Sequence, residues 1–275
     1  MSLKGMAKET LSIVEAGSYA APSGRTVSVR SEVLRAVQST ALFRPEQLES
    51  LLGELAPRPS APPPRIEVSS ETTAVAARRL LEAEGCEHVV ALNFASAKNP
   101  GGGFLGGAKA QEEDLARCSA LYTCQLRQPH YYATHRASHS MLYSDHMIYS
   151  PDVPFFRDDT GALLEAPFLL SVITSAAPNA GEVVRHGGHE SALVVPTLLG
   201  RARKVLALAA SRGHRCLVLG AWGCGVFRND PSQVAEAFAQ LLEPAFAGAF
   251  ERVVFAVYER GDERPNQRAF TRRFG

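Results

Sequence analysis

The chain has 275 residues, of which 45% are hydrophobic and 21% charged, with a net charge of +1. That is enough apolar material to bury a sizeable core. The near-neutral balance excludes the broad basic footprint that binds duplex nucleic acid or an anionic membrane surface. No apolar run approaches the roughly 18 residues of a membrane span, and the opening MSLKGMAKETLSIVEAG lacks the apolar core of a signal peptide. A cytoplasmic protein with no membrane partner is expected.

In chain order, residues 1–30 hold a short helical pattern (KETLSIVEAGSY), a turn at Pro22-Ser23-Gly24 and the strand-like RTVSVR. A further helical pattern opens at Ser31, whose hydroxyl is placed to cap it. Residues 56–64 carry five prolines in nine positions, which no helix or central strand tolerates. They are expected to be an extended linker, so that residues 1–64 form an accessory region and linker and residues 65–275 the main domain.

Beyond the prolines, apolar runs at 65–70, 88–94, 146–153, 168–176, 216–222 and 252–259 alternate with helical patterns at 71–85, 112–126, 197–213 and 231–244. Strands rich in Val, Ile and Leu on both faces, separated by helices, predict a three-layer α/β/α domain around a mixed sheet. Gly85 and Gly213 stand where helix C-caps belong.

The five cysteines, Cys86, Cys118, Cys124, Cys216 and Cys224, contain no CxxC pair and read as small buried hydrophobes or bystanders. His130, His135 and His139 lie close together, but no Cys or acidic partner stands near them, and no metal site is expected.

Ligands of such folds bind beyond the carboxyl ends of the strands, and two glycine-rich segments fall there. NPGGGFLGGAKAQEE (99–113) follows the strand HVVALNF, and GAWGCGVF (220–227) follows CLVLGAW. Glycine lets the backbone approach a ligand closely, and its N–H groups can cradle phosphate oxygens. Two such loops in one domain point to a diphosphate. The chain has no GxxxxGK[ST] loop. Residues 101–106 match GxGxxG, but a helical pattern, not a strand ending in an acid, follows them, so a dinucleotide fold is disfavoured.

A triple glycine (101–103), seven intervening residues and Gln111-Glu112-Glu113 resemble the signature of poly(ADP-ribose) glycohydrolases of macro-domain fold. The surrounding ALNFASAKNPGGGFLGGAKAQEE, the second loop GAWGCGVFRNDP and the N-terminal ETLSIVEAGSY resemble the microbial branch. The resemblance implies hydrolysis of ribose–ribose O-glycosidic bonds in poly(ADP-ribose), with ADP-ribose as product and cleavage from chain ends. It implies no cofactor.

The same resemblance assigns roles by position. Glu113 is the expected general acid, which once deprotonated activates the attacking water; Glu112 holds a ribose hydroxyl; Gln111 shapes the turn or positions a neighbour. Asn99 is expected at the distal ribose. Gly101, Gly102 and Gly103 bring the loop close to that ribose, and Gly223, Gly225 and Val226 offer N–H groups to the diphosphate. Phe227 packs on the ligand, Glu67 and Val68 are placed near the adenine, and residues 174–179 near the phosphates. A helix N-terminus favours the ionised carboxylate, so the proton that an acid needs is expected to depend on closure by substrate. The competing reading is a non-catalytic ADP-ribose-binding module, or a hydrolase of another ADP-ribose linkage. Such a reader would need the glycine loops but not the paired acids.

Overall fold

The structure, a computed structural model, describes residues 1–54, 62–243 and 245–275. Its centre is a seven-stranded sheet in the order β3-β6-β7-β5-β8-β9-β4. The strands are β3 (Ala41–Phe43), β4 (Arg65–Ser69), β5 (Val89–Phe94), β6 (Met147–Arg157), β7 (Leu163–Ser175), β8 (Cys216–Leu219) and β9 (Arg252–Ala256). β7, β5, β8, β9 and β4 run parallel to one another, while β6 pairs antiparallel with both β7 and β3. The inner parallel strands β8 and β9 are buried at every position. This is why they read as unbroken apolar runs without alternation.

Helices cover both faces. One core is built with α3 (Pro45–Glu54), α9 (Ser191–Ser211), α10 (Pro231–Leu242) and α11 (Pro265–Phe274). The other involves α1 (Leu3–Ala16), α2 (Arg30–Ser39), α4 (Thr73–Glu82), α5 (Gln111–Cys118) and α6 (Leu121–Leu126). The remaining helices are α7 (Pro129–Ala137) and α8 (Ala180–Arg185), and β1 (Ser18–Ala20) and β2 (Thr26–Ser28) form a separate hairpin.

The expected division at the proline-rich segment does not appear as a division of the fold. β3 belongs to the N-terminal region, yet it is the edge strand of the main sheet, with Phe43 opposite Met147. α1 lies against α5, and the Thr10 hydroxyl donates to the carbonyl of Arg117 at 2.6 Å. Most of the expected linker, residues 56–61, lies outside the described residues.

Three local expectations differ from the structure. Ser31 does not cap α2: the helix begins at Arg30 with Val29 at the cap position, and the Ser31 hydroxyl donates to Glu32. The helical pattern at 112–126 is two helices. Ser119 is extended between them, bridging Phe155 of β6, and its hydroxyl bonds the Leu115 carbonyl and the Leu121 N–H. Side-chain bonds of this kind let serine compete with the helical ladder. α9 starts at Ser191, ahead of the expected position, because Pro196 is carried in its second turn, where it removes one backbone bond.

The sheet and α11 meet at Phe255, which is fully buried and stacks on Phe274 at 4.4 Å, with Phe270 and Phe238 beside it. Phe255→Ala is expected to lower the unfolding free energy by about 3–5 kcal/mol in urea denaturation. A loss below about 1 kcal/mol would show that this aromatic cluster does not anchor the C-terminal helix.

Candidate active site

A cavity of about 1130 Å³ opens beyond the carboxyl ends of β5, β8 and β9, somewhat above the usual range for small-molecule sites. Its walls include Ser96, Asn99, Gly102, Gly103, Glu112 and Glu113 from the first glycine segment and Gly223, Gly225, Val226 and Phe227 from the second. The two loops that the sequence singled out therefore face one space.

The first loop leaves β5 and turns back into α5. Gly101 and Gly102 both adopt left-handed backbone conformations, φ 62° and 57°. Here the absence of a side chain has a second purpose: a Cβ on Gly102 would overlap the Glu113 carboxylate and crowd that of Glu112. The Gly103 N–H donates to Glu113 Oε1 at 2.9 Å. The loop backbone and the second acid are thus in direct contact, at the N-terminus of α5.

The start of α5 is fixed from beneath by Gln111. Its Oε1 accepts from the Phe94 N–H at 2.8 Å, and its Nε2 donates to the Leu92 carbonyl at 2.8 Å and to the Thr73 hydroxyl at 3.1 Å. With both ends of the amide engaged by protein, Gln111 ties the helix to β5 and α4; it lines the cavity but anchors the site. This favours the positioning role over ligand contact.

Glu112 is only 3% exposed. Its Oε2 accepts from the Ser96 N–H at 2.6 Å, and its Oε1 from Asn93 Nδ2 at 3.1 Å and Gln125 Nε2 at 2.9 Å. Burial pushes this carboxyl up to about 7, against the pull of the three N–H donors, while neighbouring Glu113 pushes the same way as burial. Glu113 is half-buried and borders the cavity beside Gly102 and Gly103. Asp114, the third acid in this turn, is bound to Arg117 at 2.6 Å.

The second loop is held by the segment 175–178. Trp222 is fully buried and its Nε1 donates to the Ser175 carbonyl at 2.9 Å. Asn229 Nδ2 donates to the carbonyls of Pro178 and Gly223, at 2.8 and 3.1 Å. Gly223 is left-handed at φ 75°, and a Cβ there would collide with Ala177 and Asn229. Among the described residues, the N–H groups of Gly223, Gly225, Val226 and Phe227 have no acceptor. Val226 is 84% exposed at the cavity rim. Phe227 packs against Tyr143 at 5.9 Å.

Two expectations are revised. Glu67 is held in ion pairs with Arg79 and Arg252, and Val68 packs against the core, so neither borders the cavity. The wall at the β4–β9 side is instead Thr72, Ala256, Val257 and Tyr258. Residues 174–179 stand behind the second loop; the Asn179 side chain caps α8 by accepting from the Glu182 N–H at 3.1 Å. His135 is buried with Nε2 against the Ser144 hydroxyl at 2.8 Å, and His139 is exposed.

Sequence reading missed Asn93 and Gln125. Asn93 sits in the apolar run of β5 and Gln125 in an unremarkable helical pattern, and both are fully buried. A polar residue inside a strand otherwise buried at nearly every position was the available signal for Asn93. Gln125 carried none.

Residues 7–158 match the family model described as microbial-type PARG, catalytic domain. The chain is similar to the crystal structure of poly(ADP-ribose) glycohydrolase (PARG) from Thermomonospora curvata, with 52% identity, 99% of each chain covered and a TM-score of 0.94. It is also similar to the same organism's enzyme bound to the inhibitor ADP-HPD, at 52% identity, 99% coverage of each chain and TM-score 0.92. The Deinococcus radiodurans enzyme in complex with ADP-ribose is 51% identical over 88% of this chain and 96% of that one, with TM-score 0.83. No curated protein matches the chain. A family model spanning more than half of the chain, joined to half-identical structures over nearly its whole length, shows that it belongs to the microbial-type poly(ADP-ribose) glycohydrolases.

Proposed function

We propose that the chain hydrolyses the ribose–ribose O-glycosidic bond of poly(ADP-ribose) and releases ADP-ribose, acting at chain ends in the cytoplasm. The observation that carries this reading is the contact between the Gly103 N–H and Glu113 at a cavity shared with the second glycine loop. A binding module has use for the two loops. It has none for a pair of carboxylates packed against them, one of them buried at an energetic cost.

The terminal ADP-ribose unit lies across both loops. Its diphosphate takes the open N–H groups of Gly223, Gly225 and Val226, Phe227 packs on the ribose, and the adenine lies towards Tyr258 and Thr72. The distal ribose rests on Gly101, Gly102 and Gly103 beside Asn99. In the reaction the C1–O bond of that ribose breaks and its electron pair goes to the leaving oxygen, which takes the proton of Glu113. The ribosyl group develops oxocarbenium character. Water then attacks C1 from the open side and returns a proton to the Glu113 carboxylate. Glu112, with three donors on its oxygens, holds the ribose in place and adds negative charge beneath the developing cation. One carboxylate at the cavity wall thus serves both proton transfers.

Glu113→Ala is expected to reduce ADP-ribose release from automodified poly(ADP-ribose) by at least about 100-fold while ADP-ribose affinity stays within about threefold. If neither wild type nor variant cleaves polymer and both bind ADP-ribose, the protein is a reader or acts on another linkage. Gly102→Ala combines a left-handed backbone with a Cβ against Glu113. It is expected to weaken ADP-ribose binding by at least about tenfold, equivalent to about 1.4 kcal/mol, measured by calorimetry. Binding equal to wild type would place the ribose elsewhere.

The burial of Glu112 also predicts a pH dependence of stability. Its folded-state value of about 7 lies above the ordinary 4.5, so its contribution is fully present below 4.5 and is lost as pH rises through about 7. That displacement corresponds to roughly 3 kcal/mol. Relative to Glu112→Gln, wild type is expected to lose about that much unfolding free energy between pH 4 and pH 8. Parallel pH profiles in urea denaturation would contradict a raised Glu112.

A further inference from the structure

Gln125 lies on α6, outside both glycine loops and outside the Gln111-Glu112-Glu113 motif, and does not border the cavity. It is fully buried. Its Oε1 accepts from the Gly101 N–H at 2.9 Å and its Nε2 donates to Glu112 Oε1 at 2.9 Å. The polarity of this bridge is not free. A backbone N–H can only donate, so the Gln125 carbonyl must face Gly101, and the NH2 group must then face Glu112.

The second side chain on the same oxygen is held differently. Asn93 donates from Nδ2 both to Glu112 Oε1 and to the Thr174 hydroxyl, at 3.1 and 3.2 Å, while its own Oδ1 has no partner. A half-turn of that amide would present an acceptor to Glu112. Asn93 therefore accommodates a carboxylate or a carboxylic acid, whereas Gln125 and the Ser96 N–H offer Glu112 only donors. The titratable groups that face Glu112 are Glu113 on α5 and Tyr131 and Tyr132 on α7, with Arg201 acting on Tyr131 from α9. Two phenols and a second acid do not favour its charge; the N–H donors do.

We propose that Gln125 is a positioning residue: locked by the Gly101 N–H, it turns only a donor towards Glu112 and so favours the ionised form of that carboxyl against its burial. The same bridge sets the height of the glycine loop over the acids, so the shape of the ribose seat and the protonation pattern are coupled through one amide. The consequence for catalysis rests on the hydrolytic reading above. The effect on Glu112 itself does not.

Two variants separate these roles. Gln125→Met removes the donor and the acceptor; Gln125→Glu keeps an acceptor for Gly101 and sets a second acid in place of the fixed amide donor. Glutamate carboxyl carbons are labelled with 13C and titrated by NMR in wild type and Gln125→Met. The Glu112 midpoint is expected to rise by about one pH unit in Gln125→Met, the size of one charged hydrogen bond. The acid limb of kcat/KM for ADP-ribose release is expected to rise by a similar amount in Gln125→Met, and further in Gln125→Glu. In Gln125→Glu, where the loop keeps its anchor, ADP-ribose affinity at pH 9 is expected to stay within about threefold of wild type. A midpoint and acid limb unmoved in folded variants that show only a lower Tm would reduce Gln125 to a packing residue and overturn the proposal. Should wild type release no ADP-ribose, the hydrolytic reading fails on its own, and the NMR midpoint still decides whether Gln125 sets the state of Glu112.

Discussion

A carboxylate in an apolar interior is unfavourable unless donors surround it, and Glu112 is the point at which this chain accepts that penalty. The three N–H groups that meet it come from three separate places: Asn93 in β5, Ser96 just beyond that strand, and Gln125 in α6. Each of those elements must therefore be in position before the acid can be buried. Gln111, one residue earlier, ties the same helix start to β5 and α4. The result is a helix N-terminus whose placement against the sheet is over-determined. It is this rigidity that allows the next residue, Glu113, to stand at the cavity wall against a glycine backbone.

The glycines follow from the same constraint. The loop has to pass over two adjacent carboxylates with no room for a Cβ at Gly102, and it does so in a left-handed conformation that other residues rarely adopt. The second loop solves a different problem. It presents open N–H groups from a turn clamped by Trp222 and Asn229, with no cation of its own between Gly220 and Phe227. Backbone dipoles hold a diphosphate without the tight grip of an arginine pair, which suits an enzyme that must let its product go. The N-terminal region completes the arrangement: α1 packs on α5, and β3 extends the sheet.

Much of this was legible in the sequence. The apolar runs of β5, β8 and β9 pointed to a layered α/β/α domain around a mixed sheet, and the spacing between the triple glycine and the two acids pointed to the cavity wall, because both signals are local and depend on residue type alone. The failures were tertiary. Glu67 and Val68 were assigned to the adenine because β4 is the first strand after the prolines. Whether a strand residue faces the site or an arginine such as Arg252 depends on the packing of α4 and β9. The proline-rich stretch suggested a boundary, but pairing of β3 with β6, about a hundred residues away, leaves no trace in composition. Ser119 broke an apparently continuous helix through a bridge to Phe155 that periodicity cannot reveal. Gln125 bridges the Gly101 N–H and the Glu112 carboxylate, and no motif marks it.

The central claim is that the glycine loop and the Glu112–Glu113 pair form a glycosidase, and the bond it cuts can be identified directly. Purified poly(ADP-ribose) is incubated with wild-type protein in 18O-enriched water, and the released product is analysed at once by mass spectrometry. The account predicts ADP-ribose carrying one 18O at the anomeric carbon of the distal ribose, with none on the shortened polymer. Label on a phosphate, or no release of ADP-ribose at all, would contradict it.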